Sequence, residues 1–280
     1  DRRLRLALVG LAVAVPLVVG AVAALRGWKA TGDNALISIR VGDVLRGDLP
    51  TSGLPTTGEN FGSGVASNHP GPMQFYVLAP FQALYGIDVG LALGAAFVNA
   101  VAWGLAVWAS TRRLGPVAGA VTLGIYGLLA FGLGAHLLYD PVSSNIATFA
   151  SVTAVILAAS LLDGDWGLAP AFVLVVSFVV QAHLTYVALG VPVVLVVFGA
   201  LGLQIGRRQP LPVARLVQAG ILGLVLWAPV VIDQFFGTGN VGNVIRTFSE
   251  GKTVGSGFGF AFGRLWYAIA PIPMFARRIE

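Results

Sequence analysis

Apolar runs long enough to cross a membrane alternate with short polar breaks along most of this chain. A bilayer core of roughly 30 Å takes about 20 apolar residues of helix, and lipid offers no partner to an open backbone, so helices are the expected form. The pattern predicts spans at Leu6–Leu25, Val89–Ala109, Pro116–Gly134, Val142–Leu162, Val213–Ile232 and Phe258–Phe275. Leu168–Leu203 is too long for one span and too short for two with a loop. It reads as two short helices meeting at Gln181–Thr185. The expected fold is all-α, a polytopic transmembrane helix bundle of about eight spans.

A single long polar stretch, 31–87, interrupts this pattern. Within it Leu36, Ile37, Val41, Val44 and Leu45 recur at helical spacing, which predicts a helix over Asp33–Arg46 with Asp33 as N-cap. Asp33, Ile37, Arg40 and Val44 fall on one face of that helix, with Asp43 beside Arg40. A Gly/Pro/Ser/Thr segment, Gly47–Ser67, follows. A second helix, Pro70–Leu84, is started by Pro70 and Pro72 and carries Phe75, Tyr76 and Phe81, with Tyr85 just beyond it. Both helices are expected to lie parallel to the membrane, at the interface. A loop of this length is tolerated where it carries function.

Composition supports the membrane class: 56% of residues are hydrophobic and only 10% charged, where soluble domains carry about a quarter charged residues. The net charge of +5 is not a nucleic-acid signal, because the cations sit in short clusters beside apolar runs. Cysteine is absent, which excludes disulfides and thiolate chemistry. Arg2, Arg3 and Arg5 precede the first span and place the N-terminus in the cytoplasm. Arg112/Arg113, Arg207/Arg208/Arg215 and Arg277/Arg278 then fall on the same side. His69, His136, His183, Asp33, Asp43, Asp140 and Asp233 fall on the extracytoplasmic side, and Asp163 and Asp165 on the cytoplasmic one. The first run can also be read as a signal peptide, but it is long enough to span and lacks a well-placed cleavage site. Residues 1–280 read as one multi-pass domain of a cell-membrane protein. A start at Asp1 and an end just after an apolar run suggest a trimmed N-terminus and a further C-terminal part.

Titratable groups brought to one membrane face by separate loops suggest a composite site. Asp33 is a candidate general base towards a hydroxyl, and Arg40 a candidate phosphate ligand. Read without function, they are a helix cap and a snorkelling cation. In Asn68-His69-Pro70-Gly71-Pro72, a rigid turn would hold His69 at a helix N-terminus, a place that favours anions. The alternative is a turn residue at headgroup level. Tyr139, Asp140 and His183 sit at helix junctions and are either substrate contacts or interfacial anchors. For His136 the anchoring role fits better, and Asp233, at a span end, reads as structural. Asp33, His69, Asp140 and His183 together would be able to take a divalent cation, although their spacing follows no metal-site pattern. No P-loop, G-x-S-x-G or H-E-x-x-H occurs, and the many glycines read as helix-packing positions.

With Gly32-Asp33-Asn34-Ala35-Leu36-Ile37 opening one interfacial helix and Asn68-His69-Pro70-Gly71-Pro72 the next, after a cytoplasmic-to-outside first span, the chain resembles the GT-C superfamily of membrane glycosyltransferases. Asp-x-x-Leu-Ile-x-x-Arg and Asn-His-Pro-Gly-Pro-x-x-Phe-Tyr look most like an actinobacterial branch. The resemblance implies that Asp33 is the catalytic base and that the donor is a sugar on a polyprenyl phosphate, attacked with inversion. It implies a cell-envelope glycan, lipid or protein as acceptor, and membrane lipid as surroundings. Arg40, Asp43, His69, Tyr139, Asp140 and His183 would then be substrate-binding. A different class of reading is a non-catalytic transporter or a scaffold subunit of a cell-envelope complex.

Overall fold

A computed structural model describes residues 2–57 and 65–250, together with positions 257, 259, 260 and 262. The described residues form helices and no strands. In chain order these are α1 (Arg2–Leu25), α2 (Asp33–Arg46), α3 (Met73–Tyr85), α4 (Ile87–Leu114), α5 (Pro116–Leu133), α6 (Ser143–Ile146), α7 (Thr148–Leu162), α8 (Ala169–Ala182), α9 (Val187–Gly206), α10 (Val213–Phe236) and α11 (Asn240–Glu250). Among the described residues six helical segments are long and apolar enough to cross a membrane: α1, α4, α5, α6 with α7, α9 with the turn before it, and α10. The chain is a membrane-embedded helix bundle.

Helix α4 is the hub, packed against α1, α3, α5 and α7. Small residues make the contacts close. A Cβ on Gly20 of α1 would lie 2.4 Å from the Ala96 Cβ, and one on Gly94 would lie 2.6 Å from Leu78 of α3. With lipid as solvent, such backbone approach supplies the packing energy that water would otherwise drive. Buried polar groups add direction. The Asn99 amide donates towards the carbonyls of Leu137 and Leu138 at 3.0 and 3.1 Å, which ties α4 to the turn after α5. The Thr153 hydroxyl donates to the Ala102 carbonyl at 3.0 Å and joins α7 to α4.

The two ends of the bundle differ. At one end Arg112 pairs with Asp165 at 2.7 Å and Arg113 with Asp163. Arg2 and Arg5 share a groove with Arg112 there. At the other end lie α2, α3 and the turn over 135–140; there Lys29, ahead of α2, pairs with Asp88 of α4 at 2.8 Å, and Asn34 of α2 donates to Asp140 at 3.0 Å. The segregation of Asp163 and Asp165 with the arginines, away from the histidines, matches the sequence pattern.

Three expectations are corrected. Asp33 is the first helical residue of α2 and makes no cap; the cap is Gly32, whose φ of 55° suits a residue without a Cβ. Helix α3 starts at Met73 and not at Pro70, because Asn68 and His69 pair with an extended strip, the Gly53 and His69 amides donating to the His69 and Leu54 carbonyls. In the Leu168–Leu203 region only the first helix is short. The break is His183 alone, in extended conformation, and α9 with its preceding turn is of full span length. The middle of the polar segment (58–64) and most of the span expected at Phe258–Phe275 lie outside the described residues.

Candidate functional site

A cleft of about 230 Å³ opens at the end of the bundle opposite the arginine pairs. Asp33 and Leu36 of α2 line one side, Leu54 to Thr57 another, and His69, Ser143, Ser144 and His183 close it. Asp33, His69 and His183 come from three distant stretches, so the bundle gathers them.

The base of α2 is set by packing. Asn34, Ile37, Ser38 and Val41 are buried, while Asp33 one position earlier stays exposed. Its neighbour is anchored: Asn34 donates to Asp140, which also accepts from the Asn145 side chain at 2.7 Å and the Val142 amide at 3.1 Å. Asp140 thus locks α2 to the Ser143–Ser144 wall, and its carboxylate is occupied by the protein.

The imidazoles are held differently. His69 is buried and stacks on His183 with ring centroids 4.2 Å apart. The Leu184 amide donates to His69 Nδ1 at 3.3 Å, and the Thr185 amide donates to His183 Nδ1 at 3.3 Å. With Nδ1 accepting from the Leu184 amide, the neutral His69 ring carries its proton on Nε2 and has one donor to offer, while His183 Nδ1 also lies 2.8 Å from the Thr185 hydroxyl. Burial, and then the adjacent His183, push the His69 imidazole down to about 4. Burial also lowers His183. At neutral pH the pair is uncharged.

The His69 segment is clamped from behind. The Asn240 side chain accepts from the Asn68 amide at 2.7 Å and donates to the carbonyls of Asn68 and His69. The Asn240 amide in turn donates to Asp233, whose buried carboxylate also takes the hydroxyls of Thr51 and Thr238. Asp233 is structural, as its position in the sequence suggested. Asn240, at the start of α11, was not singled out in the sequence. Gly71 donates to the Gln181 carbonyl at 3.2 Å and sits so near that residue that a Cβ would fall 2.3 Å from Oε1.

Four expected site residues do not line the cleft, Asp140 among them. Arg40 shares the face of Asp33 but stands two helical turns, about 10 Å, along the axis. It pairs with Asp43 at 3.2 Å, and Asp43 pairs with Arg46 at 2.5 Å, so neither Arg40 nor Asp43 lines the cleft. Tyr139 turns to the other side of the bundle end, edge-on to Trp28 with ring centroids 6.5 Å apart. Ser143, Ser144, Thr56 and Thr57 are cleft hydroxyls that the sequence did not mark. Among the described residues no three acids or imidazoles gather as a metal site, Asp140 being engaged by its amide donors.

Chemically, the cleft joins an exposed carboxylate to two neutral imidazoles and several hydroxyls, which is a set able to accept a proton at one side and bind an oxyanion at the other. Neither protein families, curated proteins nor solved structures yielded a match to this chain.

Proposed function

We propose that this chain is a membrane glycosyltransferase of the GT-C kind, moving a sugar from a polyprenyl-phosphate donor to a cell-envelope acceptor on the extracytoplasmic face. The observation that carries the reading is the cleft shared by Asp33, His69 and His183. Its position opposite Arg2, Arg5, Arg112 and Arg113 supports an extracytoplasmic site under the positive-inside rule. Leu36 and Ile39 on the exposed face of α2 support a helix lying along the membrane surface, where a lipid-borne donor arrives.

Asp33 takes the proton of the acceptor hydroxyl as its oxygen attacks the anomeric carbon from the face opposite the phosphate. The bond between that carbon and the phosphate oxygen breaks, and its electron pair leaves with the polyprenyl phosphate. The charge growing on the leaving group is met by the Nε2–H donor of His69, beside His183. Exposure of Asp33 keeps it reachable, while the imidazoles are fixed before substrate binds.

Membranes carrying the full chain, supplied with a panel of polyprenyl-phosphate sugars, test this directly. Transfer should fall by about 10²-fold or more in Asp33→Asn. An Asp33→Asn variant with full activity overturns the assignment of the base. Tight donor binding with no turnover on any sugar returns the chain to the non-catalytic class.

A further inference from the structure

A second concavity of about 470 Å³ lies beside the C-terminal end of α1, lined by Val18, Val22, Ala23, Arg26, Trp28 and Tyr139 among others. Its architecture follows from the helix terminus. Trp28 donates its amide to the Ala23 carbonyl at 3.1 Å and Gly27 donates to Ala24 at 3.0 Å, a Schellman closure that needs the positive φ of Gly27, here 81°. The chain reverses there and Trp28 folds back over the last turn, where it meets Tyr139 edge-on. Val18, Val22 and Arg26 follow one another at intervals of four, so an apolar strip leads up the membrane helix to a guanidinium. Val18 and Val22 are exposed. Among the described residues Arg26 makes no ion pair, while its neighbour Lys29 is taken by Asp88.

We infer that this groove is a binding site for an anionic glycerophospholipid, separate from the cleft and independent of the function proposed for it. The phosphate sits on Arg26, whose full charge outweighs the partial negative charge of the helix end. Trp28 and Tyr139 flank the headgroup at the interface, where amphipathic rings belong. One acyl chain runs down Val22 and Val18. A free phosphate would leave that strip unused. A zwitterionic headgroup would bring an ammonium next to Arg26 with no carboxylate among the lining residues to receive it.

Native mass spectrometry of the purified chain, titrated with phosphatidylglycerol or phosphatidylcholine, reads the site. The expected result is one phosphatidylglycerol per chain, bound about tenfold more tightly than phosphatidylcholine, the worth of one charge-assisted contact. Arg26→Gln should erase the preference, and Val22→Trp, which fills the strip, should weaken both lipids; circular dichroism checks that each variant keeps its helices. Equal binding of the two lipids, or a preference that survives Arg26→Gln, overturns the site and marks the lipid as part of the ordinary annulus.

Discussion

The two sides of the cleft are built to opposite rules. On one side Asp33 is exposed, at the first turn of α2, with its neighbours Asn34 and Ile37 buried beneath it. On the other, His69 is buried, stacked on His183 and fixed through its backbone by Asn240 and Gly53. The acid is free to meet a substrate, and the imidazoles are positioned by the fold. Substitutions on the two sides should therefore separate activity from stability.

The largest effect expected is the loss of about 10²-fold or more in transfer on Asp33→Asn, with unfolding midpoints that stay close to wild type because the side chain is exposed. A coupled loss of stability would erase the contrast between the two sides. Next comes pH. His69 is held neutral, with its value lowered from 6.5 to about 4. The unfolded chain takes up a proton below about 6.5 that the folded chain refuses, so stability is complete above that pH and declines as pH falls. The decline should reach roughly 3 kcal/mol by pH 4. Unfolding of the detergent-solubilised chain, followed from pH 7.5 to 4, measures it. His69→Gln should flatten the slope, and a wild-type profile already flat would show that His69 is not desolvated.

How far the sequence reached follows from the same contrast. Hydropathy marked five of the six long apolar helices among the described residues, where about eight spans were expected, and periodicity marked the bounds of α2, because those depend on local pattern alone; Leu184–Gly206 was misjudged as a short helix. Asp33 and His69 were marked by their places at the openings of the two helices expected in the polar stretch, and His183 by the junction between two apolar runs. Arg40 was misplaced for a physical reason: a shared helical face says nothing about the 10 Å of axial rise between residues seven apart. Tyr139 and Asp140 are adjacent in sequence, yet one turns to Trp28 and the other to Asn34, a divergence set by tertiary contacts after the turn over 135–138. Asn240 was invisible because its partners are backbone carbonyls some 170 positions earlier, at Asn68 and His69. Ser143 and Ser144 gave no signal because hydroxyls at a helix start are ordinary.

Gly71 tests the imidazole side without touching a titratable group. A Cβ there would collide with Gln181 Oε1 and Cγ at 2.3 and 2.6 Å, and the Gly71 amide is bonded to the Gln181 carbonyl. Gly71→Ala should cost about 2 kcal/mol, the usual range for overpacking, and should slow transfer as the His69 segment moves away from His183. Thermal unfolding and the transfer assay together check it; a variant as stable as wild type would mean that Gln181 yields freely.

The smallest effect sharpens the comparison most. Arg40 stands on the face of Asp33 and looks from sequence like the phosphate ligand, but its guanidinium is spent on Asp43 beyond the cleft. Arg40→Ala should change stability by about 0.5 kcal/mol or less, as expected of a half-exposed surface pair whose acid keeps Arg46 as a second partner. Transfer should remain within about twofold of wild type, since a residue that touches neither donor nor acceptor has no differential hold on the transition state. A loss in transfer approaching that of Asp33→Asn would place the leaving phosphate along α2 and not against the histidines, and would reverse the roles assigned to the two walls.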